Sequence, residues 1–227
     1  MSITVLTSIT GNKDFLIDEQ VKGSARWIAY LDKPFSSTTW EIREAYKGFN
    51  DKRRNSRAPK ILSHQFSDTE YSLWIDGSMS LRKPPEHLIQ RYLQDADIAL
   101  FKHPLRDCIY GEAMKCAVAG LDDPEVIIEQ VSTYEKAGYG KNKGLCECGF
   151  ILRRHTKKVI ELNNAWWSEY CRHSSRDQIS FMYAVDSVGI KVHTIDAPWE
   201  LSSDGKHALR ADFIKMAPHI ISNPVVV

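Results

Sequence analysis

The sequence predicts one α/β domain over residues 1–227, in which helices flank a central, mostly parallel sheet. Short β-favouring runs alternate with longer amphipathic segments, the pattern of strands and helices in an α/β fold. Residues 71–75, YSLWI, form a compact run of aromatic and apolar residues, which is typical of a strand buried inside a sheet. Hydrophobic side chains make up 43% and charged side chains 26% of the 227 residues, so the chain can form a core of ordinary size.

The first half of the chain predicts three strands and one helix. Residues 3–9 alternate β-branched and polar side chains and residues 25–31 are mostly apolar, so both segments are predicted strands. Residues 39–46 fit a short helix or an irregular segment equally well. Residues 61–66 predict a helix that leads into the third strand at 71–75.

The second half continues the alternation of helices and strands. Prolines and short polar residues at cap positions mark the predicted helix starts. The glycine-rich loop 138–144 is a candidate lid. The predicted elements are helices at 84–94, 111–119, 123–137, 156–170 and 174–185 and strands at 98–101, 148–152 and 190–195.

Composition and charge exclude several classes of protein. The net charge of +1 argues against a general polyanion binder, and the absence of G-x-G-x-x-G argues against a dinucleotide-binding dehydrogenase. Without 18 consecutive apolar residues we expect no transmembrane segment, and the amino terminus does not resemble a signal peptide. Five cysteines without a C-x-x-C pair favour reduced thiols. We therefore expect a cytoplasmic protein.

Asp76, Gly77 and Ser78 directly follow the predicted strand at 71–75. Open α/β sheets bind ligands beyond the carboxyl ends of their strands. A carboxylate there, with a hydroxyl two residues on, suits a hard cation that holds a phosphate-bearing ligand. Asp-Gly is also a common turn dipeptide, so the motif taken alone is more often a turn than a metal site.

Residues 49–60, FNDKRRNSRAPK, are the most basic stretch of the chain. By base rate such a run is expected to be a solvated loop, and an anion clamp for phosphates and a nucleic-acid contact are the alternatives. One short basic run in a nearly neutral chain is a small electrostatic footprint for nucleic acid. We therefore expect no nucleic-acid partner.

Four segments, in order, resemble the DUF616-type (TOD1/MUCI70-like) glycosyltransferase domain. The likeness covers roughly residues 50–185, and the small size and the TSITGNKD opening more weakly resemble glycosyltransferase domains of large algal viruses. The four segments are NDKRRNSRAPKILSHQFSDTEYSLWIDGSMSL, FKHPLRDCIYGEA, CGFILRRH and SSRDQISF.

The resemblance implies a GT-A-like (Rossmann-like) fold and a metal-dependent glycosyltransferase. Such an enzyme moves a hexosyl or deoxyhexosyl group from a UDP-, GDP- or dTDP-sugar to a hydroxyl of a glycan or glycoprotein glycan. Mn²⁺ or Mg²⁺ would neutralise the departing diphosphate.

The resemblance also implies a D-x-D-like metal site. Asp76 is the predicted metal ligand, and Ser78 stands at the second acidic position, where it offers a neutral oxygen. His207 is the predicted third ligand, with His193 and His219 as alternatives.

Asp177 is the predicted catalytic residue. It would act as general base in an inverting reaction or stabilise positive charge on the sugar in a retaining one, and a helix cap is the alternative. The resemblance assigns donor contacts to Arg54, Lys60, Trp74, Gly77, His103, Arg106 and Lys206. It assigns contacts to the acceptor or transferred sugar to Glu112, Glu147, Gly149 and Gln178. Any of the charged residues also fits ordinary surface charge, and Arg106 and Glu112 fit a simple ion pair.

Two other functions stay open at this point. One is a nucleic-acid module or nuclease that uses residues 52–60 and Asp76. The other is an inactive sugar-binding domain, which the missing second acid of the D-x-D motif favours.

Overall fold

A seven-stranded sheet lies at the centre of the protein. The structure is a computed structural model that describes residues 1–11, 14–203, 205 and 207–218. Its strands are β1 (Ile3–Ile9), β2 (Arg26–Leu31), β3 (Glu41–Glu44), β4 (Tyr71–Ile75), β5 (Met79–Leu81), β6 (Ile98–Lys102), β7 (Cys146–Arg154), β8 (His193–Ile195), β9 (Trp199–Leu201), β10 (Ala208–Arg210) and β11 (Ile214–Met216). Its helices are α1 (Lys52–Ile61), α2 (Ser63–Phe66), α3 (Pro85–Tyr92), α4 (Ile109–Val118), α5 (Pro124–Lys136), α6 (Lys157–Arg172) and α7 (Asp177–Val188).

The order of the main sheet is β3-β2-β1-β4-β7-β6-β8. All neighbours in it pair in parallel except β7, which runs antiparallel to both β4 and β6. Two helices, α4 and α5, connect β6 to β7. One helix leads the chain away from the edge of the sheet where β6 ended and the other leads it back, so β7 starts at that edge and runs antiparallel to β6. The predicted α/β class with a mostly parallel sheet is confirmed.

The main sheet is buried on both faces. Leu73 and Ile75 of β4 face a core that includes α3 and Phe213, whereas Trp74 faces the core formed with α6 and α7. β4 therefore lies in the middle of the molecule, and its carboxyl end is held from both sides. This burial explains the apolar run that predicted the strand.

A second, four-stranded sheet has the order β5-β11-β10-β9 and is antiparallel. The guanidinium of Arg210 joins it to the main sheet, since it forms an ion pair with Glu147 and donates to the Lys102 carbonyl at 2.8 Å. The sequence did not predict these strands, because three residues are too few to show a period.

Three segments differ from their predictions. Residues 39–46 contain neither a helix nor only irregular structure, because Glu41–Glu44 pairs with β2 as an edge strand. The basic run is not a solvated loop, since most of it forms α1 with six buried residues. Of residues 190–195, only His193–Ile195 is a strand.

Among the helices of the described residues, none is both long enough and apolar enough to cross a membrane.

Candidate active site

Asp76 lies directly beyond the carboxyl end of β4. Its Oδ1 accepts a hydrogen bond from the indole Nε1 of Trp74 at 2.8 Å, and its backbone N–H donates to the Gly149 carbonyl at 2.9 Å. Its side chain keeps 32% of its surface exposed. Within the described residues, Oδ2 accepts no hydrogen bond. One carboxylate oxygen is thus fixed and the other is available to a ligand.

Trp74 is almost completely buried, at 1% exposure. Its ring therefore packs in the core, and its indole N–H orients Asp76. Its predicted donor contact would be indirect, through that carboxylate.

The ammonium group of Lys60 lies between two carboxylates. Its Nζ is 2.6 Å from Oδ2 of Asp177 and 3.6 Å from Oδ1 of Asp76. The residue is 2% exposed and belongs to α1, whereas the two aspartates follow β4 and begin α7. Lys60 therefore joins three elements at one point. A phosphate contact by Lys60, as predicted, would have to be made from this buried position.

Asp177 is ionised in the folded protein. Burial raises its pKa, but the charges of Lys60 and Arg57 outweigh burial and lower the pKa from 3.8 to about 2. The residue is 6% exposed. The structure therefore presents Asp177 as a fixed negative charge and not as a group that titrates near neutral pH.

Arg57 is a site residue that the sequence analysis missed. Its Nε lies 3.5 Å from Oδ2 of Asp177. Burial lowers its pKa, whereas the charges of Asp177 and Asp76 raise it, and the net shift is upward. The signal was present in the sequence, because residues three apart on a helix share a face and Arg57 stands three before Lys60.

Two glycines allow the backbone to pack closely around Asp76. A Cβ at Gly77 would lie 2.4 Å from Cδ1 of Ile9, so a side chain fits there only if the Ile9 side chain moves. A Cβ at Gly149 would lie 3.3 Å from Oδ2 of Asp76 and 2.8 Å from Cε of Met79. Gly149 thus keeps space beside the free carboxylate oxygen.

Ser78 and His207 line one cavity with a volume of about 510 Å³. Ser78 is 3% exposed, and within the described residues its hydroxyl has no hydrogen-bond partner. The described residues contain no cluster of three His, Cys, Asp or Glu side chains that could hold a metal ion. The alternative ligand His193 lies in β8, and both His219 and the predicted donor residue Lys206 lie outside the described residues.

A second cleft, of about 360 Å³, opens beyond the carboxyl ends of β1 and β2. Ile9, Leu16 and Leu31 contribute apolar surface to it. Phe15 and Phe35 also line it and are unusually exposed for aromatic residues, at 68% and 40%. The exposed aromatic side chains suit contact with a planar ring.

One cluster contains His103, Arg106 and Glu112. In it, Arg106 and Glu112 form the ion pair that the sequence analysis gave as an alternative to a ligand contact. Arg106 Nε donates to Oε2 of Glu112 at 2.6 Å. His103 Nδ1 accepts the backbone N–H groups of Leu105 and Arg106 at 3.1 and 3.0 Å. Burial lowers the pKa of His103, and the nearby Glu112 offsets part of that shift. The imidazole is thus neutral and holds the turn after β6.

The remaining predicted residues have partners inside the protein or lie near Asp177. Arg54 donates to the carbonyls of Tyr170 and His173 at 2.7 and 2.5 Å and so fastens α1 to the end of α6. Glu147 pairs with Arg210. Gln178 is half-buried beside Asp177 in the first turn of α7.

The fold and these motifs define a glycosyltransferase-like α/β domain. The chain belongs to the TOD1/MUCI70 glycosyltransferase-like domain family, whose family model matches residues 30–202. This membership confirms the resemblance seen in the motifs, and the topology above confirms the predicted α/β class with a mostly parallel sheet.

Two relatives from Arabidopsis thaliana are similar to the chain. The probable hexosyltransferase MUCI70 is 31% identical over 189 residues, which cover 78% of this chain and 32% of the relative. Alkaline ceramidase TOD1 is 27% identical over 168 residues, which cover 67% of this chain and 36% of the relative. The chain thus spans about a third of the length of these relatives.

Solved glycosyltransferase structures are distantly similar. The bifunctional glycosyltransferase WbbM has a TM-score of 0.49 and 13% identity, over 86% of this chain and 38% of that chain. A glycosyltransferase involved in glycosylation of the major capsid protein of PBCV-1 has a TM-score of 0.45 and 11% identity, over 86% of this chain and 82% of that chain.

Proposed function

We propose that the protein is a metal-dependent glycosyltransferase that moves a sugar from a nucleoside-diphosphate sugar to an acceptor hydroxyl. The observation that carries this proposal is the carboxylate of Asp76 at the end of β4, which lies beside Lys60 and Asp177. Its Oδ1 is held by Trp74, and within the described residues its Oδ2 accepts no hydrogen bond. Ligands of open α/β sheets bind at this edge. Membership of a glycosyltransferase-like family supports the same chemistry.

The nucleoside of the donor would bind in the cleft beyond β1 and β2. Phe15 and Phe35 offer aromatic faces for the base. β1 lies next to β4 in the sheet, so a diphosphate that leaves this cleft would extend towards Asp76. A UDP-, GDP- or dTDP-sugar has the required parts, and the transferred group would be a hexosyl or deoxyhexosyl unit.

Asp76 and Ser78, at the end of β4, are the candidate oxygen ligands for Mn²⁺ or Mg²⁺. Asp76 Oδ2 and the Ser78 hydroxyl would hold the ion together with His207, and phosphate and water would supply the other ligands, as is usual for such ions. The ion would neutralise the charge of the departing diphosphate. Trp74 and Lys60 would keep the carboxylate in position.

Asp177 would act as a fixed charge. A general base works best with a pKa near the operating pH, and a carboxyl with a pKa of about 2 accepts a proton poorly. We therefore favour its second predicted role, in which its negative charge stabilises positive charge at the sugar. Its contact with Lys60 adds a further role, which is to hold that ammonium group in place.

Nucleic-acid binding is the weaker reading of the basic run. Arg54, Arg57 and Lys60 all bind groups of the protein itself. The five free cysteines support a reducing compartment, and the cytoplasmic location stays a prediction.

Donor turnover tests the proposal. The wild-type protein is incubated with manganese and a panel of UDP-, GDP- and dTDP-sugars, and release of the nucleoside diphosphate is measured with and without hydroxyl acceptors. We expect release with at least one donor, abolished by EDTA. Release from none of them would refute the proposal. Ceramide is added to the panel of hydroxyl acceptors, because one relative is named an alkaline ceramidase.

A further inference from the structure

The cavity that contains Ser78 and His207 has the polar face of the small sheet as its floor. Ser80 and Lys215 are directly paired across β5 and β11, and Ser78 accepts the backbone N–H of Ala217. Side chains alternate between the two faces of a strand, so Ser78, Ser80 and Arg82 point to the same side as Lys215. All four residues line the cavity.

Two cations in this cavity have no partner among the residues that the structure describes. Within the described residues, Arg82 and Lys215 form no ion pair and no side-chain hydrogen bond. Neighbouring cations outside the cavity are paired, since Lys83 and Arg91 lie 3.9 and 3.7 Å from Asp212. A concave site with unpaired positive charge raises the local concentration of anions. Guanidinium groups in particular match carboxylates and phosphates.

The other polar groups of the cavity place it beside the proposed metal site and fix its wall. The buried Ser78 hydroxyl, which would hold the ion, lines the cavity and has no partner within the described residues. Gln20, in contrast, uses its side chain on the backbone of Ile17, Met79 and Leu81 and so fixes the wall. Glu19 is the one carboxylate among the described residues of the lining, against two cations.

We propose that this cavity is the acceptor subsite and that the acceptor carries a carboxylate or phosphate group, which Arg82 and Lys215 bind. Ser78 stands two residues after Asp76, so the cavity begins where the donor diphosphate would end. The assignment of this cavity to the acceptor rests on the proposed function. The binding of an anion by Arg82 and Lys215 does not.

Ligand-observed NMR tests the anion site on the full chain. The probes are methyl glucoside, methyl glucuronide and glucose 6-phosphate, with and without UDP and manganese. We expect one or both anionic probes to bind at least about tenfold more tightly than the neutral glycoside, the size of effect that a charge-assisted hydrogen bond gives. The two anionic probes distinguish a carboxylate from a phosphate ligand.

Variants then test the residues. Arg82→Ala and Lys215→Ala should each weaken binding of the anionic probe about tenfold and leave the neutral glycoside unchanged. The charge-preserving Arg82→Lys and Lys215→Arg should retain most of the preference, and Lys83→Ala, an adjacent cation outside the cavity, should retain all of it. Equal binding of neutral and anionic probes by the wild type, or a preference that survives Arg82→Glu/Lys215→Glu, would overturn the proposal.

The same samples separate this proposal from the proposed function. Wild-type protein that turns over no donor but prefers anionic probes would retain the anion site and lose the assignment as an acceptor site. Turnover of a donor without any preference for anionic probes would overturn only the inference made here.

Discussion

The ammonium group of Lys60 lies 2.6 Å from Oδ2 of Asp177, and at 3.6 Å it also reaches Oδ1 of Asp76. One buried cation thereby connects the end of β4 with the start of α7. The arrangement fixes the negative charge of Asp177 and the orientation of Asp76 in the same place. In the proposed site, the positions of both carboxylates therefore depend on Lys60, a buried residue that would make few contacts with the ligand.

Lys60→Met should destabilise the protein strongly. The change leaves Asp177 buried with Arg57 and Arg176 as the remaining cations, and removal of one partner of a buried ion pair typically costs about 3–5 kcal/mol. Urea unfolding measures this loss. Lys52→Met is the control, because Lys52 begins the same helix with a 69% exposed side chain and should change stability by less than about 1 kcal/mol. Equal effects of the two changes would contradict the buried-pair account.

A double change sharpens this test. Lys60→Met/Asp177→Leu removes both charges of the close pair, so it should be more stable than Lys60→Met alone. A double variant that is less stable than Lys60→Met and also less stable than Asp177→Leu would mean that packing, and not charge, dominates at this point.

Asp177 should make stability depend on acidic pH. Its pKa is held at about 2 in the folded protein, below the ordinary 3.8, so its contribution is fully present above about pH 4. That contribution is lost as the pH falls from about 4 to 2, and it is on the order of 2 kcal/mol. We expect the free energy of unfolding of the wild type to fall more steeply over this window than that of Asp177→Asn. Parallel curves for the two proteins would show that the carboxyl is not shifted.

Trp74→Phe should weaken metal binding while it preserves the core. Phenylalanine keeps an aromatic ring but lacks the N–H that holds Oδ1 of Asp76. Loss of a group that orients a metal ligand typically lowers metal affinity about 10–100-fold. Calorimetric titration of manganese in the presence of a nucleoside diphosphate measures the change. Trp167→Phe in α6 is the matched control, and an equal loss there would reject a specific role for Trp74.

Phe15→Ala and Phe35→Ala should each lower nucleotide affinity. Both aromatic side chains line the cleft beyond β1 and β2, and stacking of a base on an aromatic ring is worth about 1–3 kcal/mol. The measurement is the dissociation constant of the nucleoside diphosphate that binds best. Leu105→Ala, which removes a 79% exposed apolar side chain outside the cleft, serves as control. A nucleotide that binds all three variants like the wild type must bind elsewhere.

The sequence predicted the parts of this protein that depend on local patterns. The position of Asp76 beyond a buried strand could be inferred, because a run of five residues and the turn after it contain the whole signal. The helix that contains Asp177 was predicted to start at residue 174, whereas in the structure it starts three residues later, at Asp177. The roles of the predicted site residues are still hypotheses, because the structure gives their positions and contacts and not what they do.

Contacts between distant segments could not be predicted from spacing. Lys60 and Asp177 lie far apart in the chain, and nothing local indicates that their side chains meet. The resemblance placed Lys60 near phosphates, whereas the structure shows it between two carboxylates. The strands around Arg210 and Lys215 are three residues long, too short for a period, so the small sheet and its cavity became visible only in three dimensions.

The most direct test of the central claim is calorimetric titration of UDP, GDP and dTDP into the wild type and Asp76→Asn, each with and without manganese. We expect at least one nucleotide to bind the wild type more tightly when manganese is present, and Asp76→Asn to lose that gain while it remains folded. Asp76→Asn that binds the nucleotide with the same affinity and the same dependence on manganese would contradict the assignment of Asp76 to the donor site.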